Sequence, residues 1–239
     1  MEDKLISPLE SLIIHKSEVQ GLLFAALKTK RELLLTYFNQ NCFNVWFENI
    51  AYRNILGEKF SYYLDGFGMW ATVKIIDNAK IRKFNASEVN EEIFGEFIRR
   101  QIPVILIGAN FPKSIRDRKP LDVEKYFNGY EDLQNYDEMI NRINDCSSKI
   151  VIIGLGVPLQ EELAYKISQR IPGLQILCVG NFLEFYYGTI KRAPRIFHNS
   201  GFEWAFRLIT EPKRLWRRYI LGIPVFIIRL IKMKITKEI

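Results

Sequence analysis

The sequence predicts an α/β fold: a mostly parallel, Rossmann-like sheet flanked by helices, with a C-terminal amphipathic helical appendage. Three observations predict it. Short apolar runs that do not alternate with polar residues mark strands covered on both faces, the pattern of parallel sheets. Polar helical stretches separate those runs, as repeated βα units require. The basic residues gather at one end. The net charge is +7, and residues 201–239 hold nine Lys/Arg against three Asp/Glu, so the first 200 residues are almost neutral.

The strands are "LLLTYF" (Leu33–Phe38), "VILIGAN" (Val104–Asn110), "IVIIGLG" (Ile150–Gly156) and "LQILCVG" (Leu174–Gly180), rich in Leu, Ile and Val and mostly closed by Gly or Asn. Helical segments over Asn85–Gln101 and Asn135–Cys146 precede two of them, and Val157–Ile171 joins the third to the fourth. The C-terminal segment divides into short amphipathic helices. "GFEWAFRLIT" ends before Pro212, because proline starts a helix well and continues one badly. "PKRLWRRYIL" ends near Gly222 and Pro224. In "VFIIRLIKMKITK", Ile227, Ile228, Ile231 and Ile235 share one face, flanked by Arg229 and Lys232.

Composition narrows the function. The N-terminus begins with acids and has no apolar core of a secretory signal. No run reaches the roughly 18–20 apolar residues that cross a bilayer; Tyr219–Ile228 is interrupted by Gly222 and Pro224 and stopped by Arg229. Cys42, Cys146 and Cys178 lack metal-ligand spacing; two of them lie in apolar or strand-like contexts and read as buried inert thiols, and a reducing compartment fits. His15 and His198 are too few and too distant for a metal site or a triad. In the tail, Trp204, Trp216 and Tyr219 suit a membrane interface, and cations interleaved with aliphatics describe an interfacial helix. Nucleic acid is disfavoured, because the cations do not stand clear of the aliphatics. The bland alternative is a tail packed on the core with a solvated charged face.

Ligands of such folds bind beyond the carboxyl ends of the strands. Three loops lie there: "GAN", "GLGVPLQEE" with Gly154 and Gly156, and "VGNFLEFYYG". Backbone N–H groups at the helix start of the second suit a phosphate. Asp65, in "YLDGFGMW", is either a turn residue or a general base beside apolar walls.

These motifs, above all "IVIIGLGVPLQEELAYK" and "VGNFLEFYYGTIKRAPRIFHNSGFEWAFRLITEPKRLWRRYILG", resemble the WecG/TagA/CpsF glycosyltransferases of bacterial surface and exopolysaccharide synthesis. The resemblance runs from about Leu33 to Ile228. "TYFNQN", "LDGFG", "LIGAN" and "NGYEDLQNYDEMINRIN" fall in the family's order. It implies an inverting, metal-independent transferase with no cofactor. The enzyme would move a hexose or N-acetylhexosamine from a UDP-sugar to a glycan on a polyprenyl diphosphate, at the cytoplasmic face of the inner membrane.

By position, Asp65 then corresponds to the catalytic base. Thr36, Asn39 and Gln160 correspond to donor-pocket residues, and Gly108, Gly129, Tyr130 and Gly180 lie on loops that hold UDP. Lys83, with Arg82 beside it, stands where the family often has arginine; lysine brings charge without a bidentate fork. Glu184 replaces the family's usual aspartate, and "YFN" replaces "TPN". Arg207, Arg214, Arg217 and Arg218 would complete a diphosphate site from the tail. Residues 1–196 would then form the catalytic domain and 197–239 a tail that docks on an anionic membrane and completes the site. Oligomeric state stays open. A non-catalytic membrane scaffold for a polysaccharide complex is the alternative of another class. A dinucleotide oxidoreductase lacks the full G-x-G-x-x-G after a first strand.

Overall fold

The computed structural model describes residues 7–76, 81–190 and 203–235. The chain runs β1 (Leu12–Ile13), α1 (Lys16–Thr29), β2 (Leu33–Phe38), α2 (Gln40–Glu48), α3 (Ile50–Lys59), β3 (Phe60–Leu64) and α4 (Gly66–Ile76). It continues through α5 (Ala86–Arg99), β4 (Val104–Gly108), α6 (Lys113–Arg116), β5 (Val123–Asn128) and α7 (Tyr136–Asn144). Then come β6 (Ile150–Ile153), α8 (Leu159–Arg170), β7 (Gln175–Cys178) and α9 (Phe182–Tyr187). The C-terminal appendage holds α10 (Glu203–Thr210), α11 (Pro212–Trp216), a π-helical segment (Arg217–Leu221) and α12 (Gly222–Ile235).

The seven strands form one sheet in the order β1-β3-β2-β7-β6-β4-β5, and every pairing is parallel. The apolar runs are buried because both sheet faces are covered: all six residues of β2 and all those of β4, β6 and β7 are buried. Leu35 of β2 sits opposite Leu177 of β7, and Ile107 of β4 opposite Ile153 of β6. The chain leaves β4 towards β5 and leaves β6 towards β7. These neighbours therefore send their connections in opposite directions, and a crevice opens between their carboxyl ends.

Three strands were not anticipated. β1 has two residues, β3 is rich in aromatic residues rather than aliphatics, and β5 ("VEKYFN") is a half-exposed edge. The tail also differs from expectation. No helix ends at Gly222 and Pro224. The π-helical segment leads directly into α12, and Pro224 falls in the first turn of α12, where a missing N–H is tolerated. The expected boundary between residues 196 and 197 and the R-A-P motif lie outside the described residues.

The appendage packs on α2. Phe226 meets Phe43 edge-to-face at 5.1 Å, and Met233 is fully buried. The Arg229 guanidinium donates to the backbone and side-chain oxygens of Asn44 at 3.0 and 3.1 Å and pairs with Glu48. Its opposite face is open: Ile227, Ile228, Ile231 and Ile235 are exposed, as are Trp204 and Trp216. Tyr219, expected at an interface, is buried instead, with its ring 6.0 Å from that of Trp204. No helix among the described residues is long and apolar enough to cross a membrane.

Candidate functional site

Asp65 directly follows β3, and its backbone N–H donates to the Phe38 carbonyl at 3.0 Å, which fixes it beside the end of β2. Each carboxylate oxygen has a partner. Oδ1 accepts the backbone N–H of Ala86, the first residue of α5, at 2.8 Å, and Oδ2 accepts Nδ2 of Asn39 at 3.0 Å. The N-terminus of α5 favours an anion there. Asn39 is the N-cap of α2; its Oδ1 accepts from the N–H groups of Asn41 and Cys42. One amide thus caps a helix and aims a carboxylate. Each carboxylate oxygen keeps a lone pair for another proton.

Two clefts meet at this point. One, of about 670 Å³, holds Asp65, Asn39 and Lys83 at its inner end and runs outward between α4 and α12. Its outer walls are apolar, formed by Phe67, Ala71, Ile75, Phe226, Ile227 and Ile231. The second, of about 640 Å³, lies over the crevice between β4 and β6. Ala109, Tyr130, Gly156, Glu184, Arg214 and Arg217 line it. All three loops singled out in the sequence open onto this second cleft. Tyr37, Asn181 and Arg218 line both clefts and form their common wall.

Arg218 is half-buried, and its Nε has no hydrogen-bond partner among the described residues. Burial works against its charge, but Tyr219, Tyr37, Cys42 and Asp65 outweigh that and hold its pKa above the ordinary value. Arg207 lines the Asp65 cleft with its guanidinium over the Phe185 ring, and its buried Nε is likewise unpaired among the described residues. Arg214 pairs with Glu211 at 2.6 Å, and Arg217 covers the Trp216 ring. Burial raises the Glu184 pKa and Glu211 adds to the rise, while Arg214 and Arg207 oppose it. The cations of Arg207 and Arg218, each with an unpartnered Nε among the described residues and turned to a cleft, suit an anionic ligand.

Not every expected residue reaches a cleft. Thr36 and Gln160 are fully buried under the junction, bonded to Glu161, so they support the site from below and do not line a donor pocket. Gly108, Gly129 and Gly180 are floor positions beneath the lining side chains. A Cβ on Gly129 would come within 2.5 Å of Leu155, and one on Gly180 within 2.5 Å of the Tyr37 hydroxyl. Lys83 lies in the Asp65 cleft, with its ammonium over the Phe67 ring; Arg82 is exposed and lines neither cleft. Sequence reasoning missed Tyr37 and Asn181. Asn181 follows the glycine that closes the last apolar run, and its buried Nδ2 has no partner among the described residues.

The arrangement gives a carboxylate able to take a proton, a neighbouring cationic wall, and a crevice at the reversal of strand order where nucleotides bind in open sheets. A comparison with known protein families matches the chain to the Glycosyl transferase WecG/TagA/CpsF family over residues 10–239. The chain therefore belongs to that family, glycosyltransferases of cell-surface polysaccharide synthesis.

Proposed function

We propose that this protein moves a hexose or N-acetylhexosamine from a UDP-sugar to a glycan carried on polyprenyl diphosphate, with inversion and without a metal. The observation that carries the reading is the common wall: Arg218 faces the cleft over β4 and β6 and also the cleft that holds Asp65. The donor belongs in the first of these, its diphosphate against Arg214, Arg217 and Arg218 and the N-terminal turn of α8. The acceptor belongs in the second, its hydroxyl at Asp65 and its isoprenoid chain along the apolar walls of α4 and α12.

Asp65 takes the acceptor proton as the hydroxyl oxygen attacks the anomeric carbon. The bond from that carbon to the UDP oxygen breaks on the opposite face, and the electron pair leaves with UDP. A single displacement inverts the anomeric centre. The arginines and the backbone N–H groups take up the charge on the departing diphosphate. The exposed isoleucine face of α12, with Trp204, Trp216 and the flanking cations, supports peripheral docking on the cytoplasmic face of the inner membrane.

The test is a screen of UDP-sugars against a short-chain lipid-diphosphate acceptor, with product mass, linkage and anomeric configuration as readouts. A product of inverted configuration is expected. A retained configuration, or turnover of another donor class alone, would overturn the reading.

A further inference from the structure

Glu161, the third residue of α8, is fully buried, and no function has been given to it above. Its Oε1 accepts two hydrogen bonds, from Thr36 Oγ1 at 2.7 Å and from Gln160 Nε2 at 2.8 Å. Gln160 in turn uses Oε1 to accept the backbone N–H of Gly180 at 2.9 Å. One carboxyl oxygen thereby links the middle of β2, the start of α8 and the turn after β7. Both outer segments carry the common wall: Tyr37 follows Thr36, and Asn181 follows Gly180. The fit is close, because Gly180 has a φ of +55° and lies against the Tyr37 hydroxyl.

We propose that Glu161 is a positioning residue, a buried hydrogen-bond hub that holds Tyr37 and Asn181 in the wall between the two clefts. The proposal rests on the donor reading given above. The setting disfavours the ionised form, although the hub does not need it to. Oε2 has no partner among the described residues, nor does the hydroxyl of Tyr52 on α3, which packs against α8. The titratable groups around the carboxyl are Tyr37 on β2, Cys42 on α2, Tyr52 on α3, Cys178 on β7 and Glu162 beside it. They are phenols, thiols and a second carboxyl. Burial pushes Glu161 up to about 7, although the bonds from Thr36 and Gln160 oppose the rise. Both accepted bonds go to Oε1, which accepts them whether or not the group is ionised, so an amide oxygen in its place keeps them.

A hub and a charged carboxylate respond differently to substitution. Glu161→Gln keeps the accepting oxygen and removes the ionisable group. Glu161→Leu removes the acceptor and leaves Thr36 and Gln160 without their partner. Thr36→Val is close to isosteric, and its hydroxyl connects to Gly180 through Glu161 and Gln160. Two readouts on the full chain decide the matter: amide hydrogen exchange at Gly180, and KM against kcat for the UDP-sugar.

Glu161→Gln should leave both readouts within about twofold of wild type. Glu161→Leu should speed Gly180 exchange and raise donor KM by roughly tenfold, the scale of one lost buried hydrogen bond, with a smaller change in kcat. Thr36→Val should shift both in the same direction, and Thr36→Ser should restore them. Should the leucine variant fail to fold, the Thr36 pair decides by itself. A Gln variant as impaired as the Leu variant would overturn the proposal, since charge and not hydrogen bonding would then be at work. Unchanged Gly180 exchange in Thr36→Val would overturn it as well. Exchange judges the hub even if no UDP-sugar is turned over, a result that would count against the donor reading alone.

Discussion

Asp65 owes its geometry to two helix starts. The free N–H at the head of α5 holds one carboxylate oxygen, and the N-cap of α2 holds the other. The carboxylate is fixed in direction before any substrate arrives. Asp65→Asn keeps the shape and cannot take a proton. Turnover should fall ~10²–10⁴-fold, the usual worth of a general base, while calorimetric UDP binding stays near wild type. Glu161 makes a separate prediction, for stability. Its carboxyl moves from an ordinary 4.5 to about 7 on folding. Between those values the folded chain binds more protons than the unfolded one, so this contribution weakens as pH rises from about 4.5 to about 7 and is level above. The shift corresponds to about 3 kcal/mol. Urea unfolding of wild type and Glu161→Gln at pH 4.5 and pH 8 should show the wild type losing that much relative to the variant; parallel curves would remove the effect.

At the scale of elements, the tail does two things with one chain. Phe226, Met233 and Arg229 fasten α12 to α2, and the segment just before it places Arg214, Arg217 and Arg218 along the cleft over β4 and β6. A π-helical turn holds about one residue more than an α-helical one, and this one carries Arg217 and Arg218 and leads directly into α12. Replacing Arg214, Arg217 and Arg218 by Gln should lower turnover on a water-soluble acceptor analogue, where recruitment to a surface plays no part. A chain ending at Arg195 should lose both that turnover and vesicle binding. Full activity of the shortened chain on the soluble acceptor would reduce the tail to an anchor.

The elements also show what a sequence displays. β2, β4, β6 and β7 were legible because burial on both faces leaves an unbroken aliphatic run. β3 was hidden by its aromatics and β5 by its charged edge residues, and the two residues of β1 are too few to form a pattern. The tail's continuity was hidden because Gly222 and Pro224 carry the signature of a break, although each is compatible with a first helical turn. Beside its two glycines Asp65 reads as either a turn residue or a base, and the structure puts it in a cleft; the role of base comes from the family resemblance alone. The burial of Thr36 and Gln160 was not legible, because a polar residue inside a strand or in the first turn of a helix faces a cleft or a hub according to neighbours distant in sequence.

At the scale of the whole molecule, parallel strands bring the described loops that line the clefts to one edge, and residues of the appendage line both clefts there. Core and tail both line the clefts, but the tail brings most of the net positive charge, +6 of +7. Vesicle binding should therefore weaken as salt rises, because cations near an anionic surface are screened over about 8 Å at physiological ionic strength. The common wall of Tyr37, Asn181 and Arg218 has a kinetic consequence. With the proposed substrates one on each side, such a partition favours a ternary complex, and Asp65 would stand on the acceptor side of it, away from the duty of a covalent carrier. Initial velocities measured against both substrates should give intersecting double-reciprocal lines. UDP and a dead-end acceptor should each tighten the binding of the other, since whichever arrives first orders the partition that both must touch.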